Sequence, residues 1–250
     1  LAVAGLYWPR IVQMLRGLLG KDERGRRLLL NIFIAFLPAA VLGVMLDDLI
    51  EEHLFHPWPV LAALFLGGLW MIWLDRWRAQ RAERKANVEV DDDAPESTRE
   101  ALRERGEIGI EDLTWRRALL IGLLQCLAMW PGTSRSMMTI AGGTLLGLRP
   151  KDAAEFSFLL GLPTLGGACV YKLGKNLKTS LDEGGPNMFE QLGLAPTLLG
   201  FAVAAVAAAL AIKWLVAFLT RHGLHSFGWY RIALCAVLGG LILADVVQIG

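Results

Sequence analysis

Residues 118–148 read ALLIGLLQCLAMWPGTSRSMMTIAGGTLLGL, and Arg135 carries the one charge in these 31 residues. As one continuous helix the stretch would be about 46 Å long, more than the roughly 30 Å hydrocarbon core of a bilayer. Pro131-Gly132 interrupts it, and an interior proline removes a helix hydrogen bond and crowds the preceding turn. Non-helical backbone at membrane depth is tolerated where protein or a water-filled cavity covers it. The stretch therefore predicts a re-entrant, broken helix pair. Its tip is expected near the middle of the bilayer, with Ser134 to Thr139 opening the second half-helix.

The flanking segments place this pair among membrane spans. Leu28 to Leu46 is 19 residues without a charge, with Pro38 inside. Pro57 to Leu74 is a second span, with Trp58, Trp70 and Trp73 read as interface anchors. Trp115 to Trp130 opens the broken pair, with Thr114 as its expected N-cap. Phe156 to Tyr171, Gln191 to Ile212 and Trp229 to Gln248 are the later spans. The fold expected is all-α: a polytopic integral membrane helical bundle forming a single domain over 1–250. Residues 1–74 hold the N-terminal spans, 75–117 a hydrophilic loop, and 118–250 the part with the re-entrant motif. Residues 9–27 and 75–85 are rich in Arg and Lys, whereas 47–58 carry four acids and no Lys or Arg. The positive-inside rule puts 9–27 and 75–117 in the cytoplasm and 47–58 outside.

Composition agrees. The chain is 54% hydrophobic and 20% charged, with a mean hydropathy of +0.45. Residues 75–117 hold 22 of its 49 charges. A net charge of +1 with no separate basic face argues against a nucleic-acid partner. Cys126, Cys169 and Cys235 show no metal or disulfide spacing and read as small core residues. Within 75–117, Ser97 and Glu100 fit a capping box for a short helix over 98–105. Asp91 to Asp93 read as a solvated acidic linker rather than a metal site. His53 and His56 read as surface residues beside a Trp/Pro interface.

The re-entrant tip has the chemistry of an oxyanion site. A helix N-terminus offers unpaired N–H donors and partial positive charge. Arg135 adds a planar, permanently charged donor fork that matches a phosphate. Ser134, Ser136 and Thr139 add hydroxyls, any of which could serve as a nucleophile. The competing reading has Arg135 snorkelling to an interface and the hydroxyls satisfying broken helix backbone. Gln125 either faces the cavity or bonds across helices. Glu155 either meets the substrate or favours a helix N-terminus.

Residues 125–168, QCLAMWPGTSRSMMTIAGGTLLGLRPKDAAEFSFLLGLPTLGGA, resemble the signature region of the undecaprenyl-diphosphatase (bacitracin-resistance protein) family. Pro131, Gly132, Ser134, Arg135, Ser136 and Thr139 match its Pro-Gly-x-Ser-Arg-Ser-x-x-Thr block. Asp112-Leu113-Thr114 before it and Glu155-Phe-Ser-Phe-Leu-Leu after it also match, and LAVAGLYWPR at the start resembles the family's second apolar helix. The resemblance implies an inverted repeat whose two re-entrant loops meet in the bacterial inner (cytoplasmic) membrane, with the site open to the periplasm. It implies hydrolysis of undecaprenyl diphosphate to undecaprenyl phosphate, which recycles the lipid carrier of cell-wall synthesis and confers bacitracin resistance. A divalent cation, Mg or Ca, is implied as cofactor. Membrane lipids are expected partners, and a homodimer is one assembly it allows. By the same resemblance Arg135 clamps the diphosphate, and Ser134, Ser136 and Thr139 bond it or position it. Trp130, Gly132 and Thr133 join Gln125 and Glu155 as candidate substrate-binding residues.

The family's first repeat carries a Glu-x-x-x-Glu stretch and a Ser-Ser-Thr-Gly-His block that are not found in this sequence. Glu96 and Glu100 match the carboxylate spacing but lie in the charged loop. The expectation is a chain lacking about 50 residues of the first repeat, judged partly from an incomplete first span, with half of the catalytic site and no assigned metal ligands. Broken helices meeting an anion near midplane also occur in transporters, so a lipid-phosphate or anionic-solute transporter is the alternative function.

Overall fold

The computed structural model describes residues 2–89, 108–185 and 192–244. Among them the architecture is all-α. Two short helices, α1 (Ala2–Leu6) and α2 (Trp8–Leu18), precede two long ones, α3 (Glu23–Leu54) and α4 (Pro57–Glu89). A single 3-10 turn, Ile110–Asp112, leads into α5 (Trp115–Cys126), which a second 3-10 turn, Leu127–Met129, extends. The remaining helices are α6 (Arg135–Leu145), α7 (Pro150–Glu183), α8 (Leu194–His222) and α9 (His225–Leu243).

Five helices are long and apolar enough to cross a membrane: Glu23–Leu46, Pro57–Gln80, Pro150–Asp182, Leu194–Leu219 and His225–Leu243. Together with the broken α5–α6 pair they make a multi-pass membrane protein. The helices outrun the spans read from hydropathy, because hydropathy marks the apolar core and not where backbone hydrogen bonding ends. α4 continues to Glu89, so the hydrophilic 75–117 segment begins as helix.

Ion pairs draw segments of one end of the bundle together. Arg10 and Arg24 both reach Glu111, at 2.9 Å each, which brings 9–27 and the end of the 75–117 segment together. Arg10 also pairs with Glu155 at 2.7 Å. The hydrogen bond from Arg10 holds the Glu111 carboxyl below its ordinary range despite partial burial. At the same end, Asp75 accepts from the His225 amide at 2.7 Å and ties α4 to the start of α9. α3 and α4 therefore run to the opposite end and back.

The core is densest where α3, α5, α6 and α7 converge. Ala35, Ile121, Phe156, Leu159 and Leu160 are almost fully buried there. α8 is buried over only 6% of its apolar window, a surface suited to lipid.

Several local expectations change. Thr114 occupies the N-cap position of α5 with extended backbone, but its side chain makes no cap hydrogen bond. Trp70 is half-buried, packs on the core and meets the Trp73 ring at a tilt, so it faces the bundle. Cys169 is exposed on α7, and Cys126 and Cys235 are only partly buried; an apolar span has a lipid face as well as a core face. Asp91 to Asp93, Glu96, Glu100 and the 98–105 helix lie outside the described residues.

Candidate active site

The re-entrant pair enters and leaves at one end of the bundle. Ile108 donates to the Gly147 carbonyl at 2.7 Å, and its own carbonyl accepts from Arg149 at 3.3 Å. α5 climbs beside α3, α6 returns antiparallel to it, and Gly142 meets Leu124 halfway. The tip stands further across than the midplane expected from sequence. Trp130 Nε1 donates to the Pro59 carbonyl at 3.0 Å. A Cβ on Gly132 would stand 2.5 Å from the Val60 carbonyl. The tip thus lies level with the first two turns of α4, near the 47–58 end. The cause is length: the helical turns of α5 plus the 3-10 turn rise about 24 Å before the chain turns.

The break itself is over-determined. Gly132 has φ 95°, and the Val60 carbonyl leaves no room for a side chain, so both conformation and space demand glycine. Ser134 has φ 73° and is the one non-glycine residue with positive φ among those described. Such strain costs on the order of 1–3 kcal/mol and collects at functional sites. Ser134 Oγ caps α6 by accepting from the Met137 amide at 3.4 Å, and the Met138 amide donates to the Ser134 carbonyl at 3.1 Å. The amides of Arg135 and Ser136 have no partner among the described residues.

Arg135, at the head of α6, points at α7. Nη1 donates to the Ser157 carbonyl at 3.2 Å, its only hydrogen bond among the described residues. A Cβ on Gly161 would stand 2.9 Å from Nη2, so the glycine clears space for the guanidinium. No carboxylate among the described residues pairs with it, although it is half-buried. The snorkelling alternative is therefore not what the structure shows: the fork turns into the bundle with most of its donors free.

The other sequence candidates separate into two groups. Ser134 is exposed and Ser136 partly buried, so both residues reach the surface at the tip. Thr139 is fully buried, 2.6 Å from Ser157 Oγ, and its hydroxyl also donates to the Arg135 and Ser136 carbonyls. It ties α6 to α7 and does not stand open as a nucleophile. Thr133 is buried in the turn, its amide donating to the Trp130 carbonyl. Trp130 and Gly132 serve as anchors of the tip. Glu155 sits in the second turn of α7 and is engaged by Arg10 at the loop end, which removes both the substrate contact and the helix-terminus role. Gln125 is 3% exposed, and neither Nε2 nor Oε1 has a hydrogen-bond partner among the described residues. It does not bond across helices.

Two contributors escaped the sequence reading. Ser157 offers its carbonyl to Arg135 and its hydroxyl to Thr139. Arg231 of α9, 8% exposed, donates to the carbonyl of Gly132 at the tip and to those of Ala63 and Leu64. Arg231 is the lone charge between His225 and Asp245, the same signal that exposes Arg135.

A half-buried arginine fork with no acid among the described residues, at a strained helix N-terminus on a re-entrant loop, is the arrangement that the Pro-Gly-x-Ser-Arg-Ser block implies. The family model described as bacitracin resistance protein BacA matches residues 1–237. The chain belongs to this family. An undecaprenyl-diphosphatase of Sorangium cellulosum is 42% identical over 238 residues, 95% of this chain and 68% of the relative. One of Pseudomonas putida strain F1 is 40% identical over 244 residues, 98% of this chain and 75% of the relative. One of Bordetella avium is 36% identical over 239 residues, 95% of this chain and 77% of the relative. These BacA-family matches run through the whole broken helix pair and its supports on α4, α7 and α9.

The divalent cation that the resemblance implies finds no donor set here. No group of three or more His, Cys, Asp or Glu side chains lies together among the described residues. Magnesium is ordinarily held by one or two carboxylates with phosphate oxygens. The tip supplies neutral hydroxyls, amides and a cation, which suit an anion.

Proposed function

We propose that this chain hydrolyses undecaprenyl diphosphate to undecaprenyl phosphate and inorganic phosphate in the bacterial inner membrane. The reaction returns the lipid carrier to cell-wall synthesis and confers bacitracin resistance. The observation that carries the reading is Arg135. A permanently charged guanidinium is partly desolvated with, among the described residues, one carbonyl bond and no acid, so a phosphate is its natural complement.

In this reading the diphosphate head enters at the tip while the polyprenyl tail stays in lipid. Arg135 grips the terminal phosphate through its free donors. The Arg135 and Ser136 amides and the Ser134 and Ser136 hydroxyls bond its remaining oxygens. Water's oxygen joins the terminal phosphorus, the bridging P–O bond breaks, and the carrier monophosphate leaves with the bridging oxygen. Charge moves toward the bridging oxygen and the equatorial oxygens in that step, where preorganised donors act most strongly. Ser134 and Ser136 are the hydroxyls open enough to touch the reacting group. No protein-held metal is assigned to these residues.

The relatives' names support hydrolysis rather than transport. The test is phosphate release from undecaprenyl diphosphate by the detergent-solubilised protein as its gene encodes it. Hydrolysis releases inorganic phosphate without a second compartment. A protein that binds the lipid and releases none would be a transporter or a binding protein.

A further inference from the structure

Arg231 makes three hydrogen bonds, and all of them are to backbone. Nε donates to the Leu64 carbonyl at 3.3 Å, and Nη2 donates to the Ala63 carbonyl at 3.2 Å and to the Gly132 carbonyl. Ala63 and Leu64 belong to α4, and Gly132 to the broken tip. No carboxylate among the described residues pairs with Arg231. Gly67 makes room for it, since a Cβ there would stand 2.7 Å from Nη2. α9 comes close enough because Gly68 and Gly228 meet backbone to backbone, with 2.7 Å from a Gly228 Cβ position to the Gly68 carbonyl.

A span that needed only packing would place an apolar side chain here, because a charge inside the membrane is costly. The planar fork can bond two elements at once, as a compact ammonium cannot. The Gly132 carbonyl lies in a turn with positive φ and outside any helix. It therefore depends on a side-chain donor for its orientation.

We propose that Arg231 is a positioning residue for the reaction. It clamps the Gly132 carbonyl to α4 and so fixes where Ser134 and Arg135 stand relative to the diphosphate. The proposal rests on the phosphatase reading above. Displacement of a reacting group by about an ångström costs on the order of a hundredfold in rate, so a loosened tip shows first in turnover.

Arg231→Gln and Arg231→Lys test this in the protein as its gene encodes it, with kcat and KM scaled to monodisperse protein. Arg231→Gln is expected to lower kcat by about tenfold or more while KM changes by less than about threefold. Arg231→Lys, which still reaches one carbonyl, is expected to recover part of the loss. A second readout needs no turnover. With Cys126, Cys169 and Cys235 replaced by alanine and Ser134→Cys introduced, the rate of maleimide labelling at 134 reports the tip. Arg231→Gln should change that rate by about threefold or more, a scale set by the loss of a clamp on a strained turn. Should Arg231→Gln fail to give monodisperse protein, Arg231→Lys carries both readouts. Unchanged kcat per folded molecule with unchanged labelling overturns the proposal, as does a rise in KM alone. Absence of phosphate release by the wild type would sink the phosphatase reading, and labelling would still decide whether Arg231 holds the tip.

Discussion

Ser157 on α7 binds α6 twice: its carbonyl accepts from Arg135 Nη1 at 3.2 Å, and its hydroxyl lies 2.6 Å from Thr139 Oγ1. One buried serine thus sets both the first turn of the re-entrant helix and the aim of its arginine. Replacing Thr139 by valine keeps the shape and strands the Ser157 hydroxyl. Leaving one buried polar partner unsatisfied costs about 1–3 kcal/mol. Thr139→Val is expected to lower the melting temperature and reduce turnover, with Thr139→Ser closer to wild type. Equal turnover in Thr139→Val and wild type would remove the helix tie from the account.

Ser134 combines a cap with a strained backbone. Ser134→Gly relieves the positive φ, which is worth about 1 kcal/mol or more, and loses only a few tenths as a cap. Ser134→Ala keeps the strain and loses the cap. Thermal melts should therefore rank Ser134→Gly above Ser134→Ala, while both variants lose turnover with the hydroxyl. An alanine variant as stable as the glycine variant would show that the tip relaxes freely.

Gly161 makes room for the Arg135 fork. A methyl group there first meets the guanidinium of Arg135, the far end of a flexible side chain, so Gly161→Ala should still fold. It should still push the guanidinium aside and lower kcat/KM by about tenfold or more. Unimpaired turnover in this variant would mean that Arg135 acts from another position.

The ion cluster at the loop end gives a pH dependence. Glu111 has a folded-state pKa lowered chiefly by its hydrogen bond from Arg10. Its stabilising contribution is complete above its unfolded value, about 4.3, and is lost as pH falls through the lower folded value. Thermal melts of wild type and Glu111→Gln should differ by a constant amount between pH 5 and pH 8, a range above that value. The difference should shrink below it. A difference that shrinks instead as pH rises toward 8 would contradict the Arg10–Glu111 assignment.

The parts legible in sequence were those with local signatures. Pro131-Gly132 inside an uncharged stretch forced a break, and Arg135 stood out because charge is rare there. The five spans followed from hydropathy. What stayed hidden depends on pairing across the chain. Arg10 and Glu155 are 145 residues apart, and no spacing rule joins them. Ser157 sits in an apolar stretch where a serine does not announce which helix it will face. Thr139 shares a motif with Ser134 and Ser136, but the helical period turns it to the buried side, against α7. Gln125 is buried as a cavity residue would be, yet its side chain has no hydrogen-bond partner among the described residues.

The most direct measurement is phosphate release from undecaprenyl diphosphate by Arg135→Ala and Arg135→Lys beside the wild type, each matched for expression and monodispersity. An arginine at this depth opposes insertion rather than driving it, so both variants should fold. Turnover should fall by on the order of a hundredfold or more in Arg135→Ala, the scale for losing a main oxyanion donor. Arg135→Lys should stay well below wild type, because it keeps the charge and loses the fork. Turnover near wild type in Arg135→Ala would contradict the account and reduce the motif to the architecture of a broken helix.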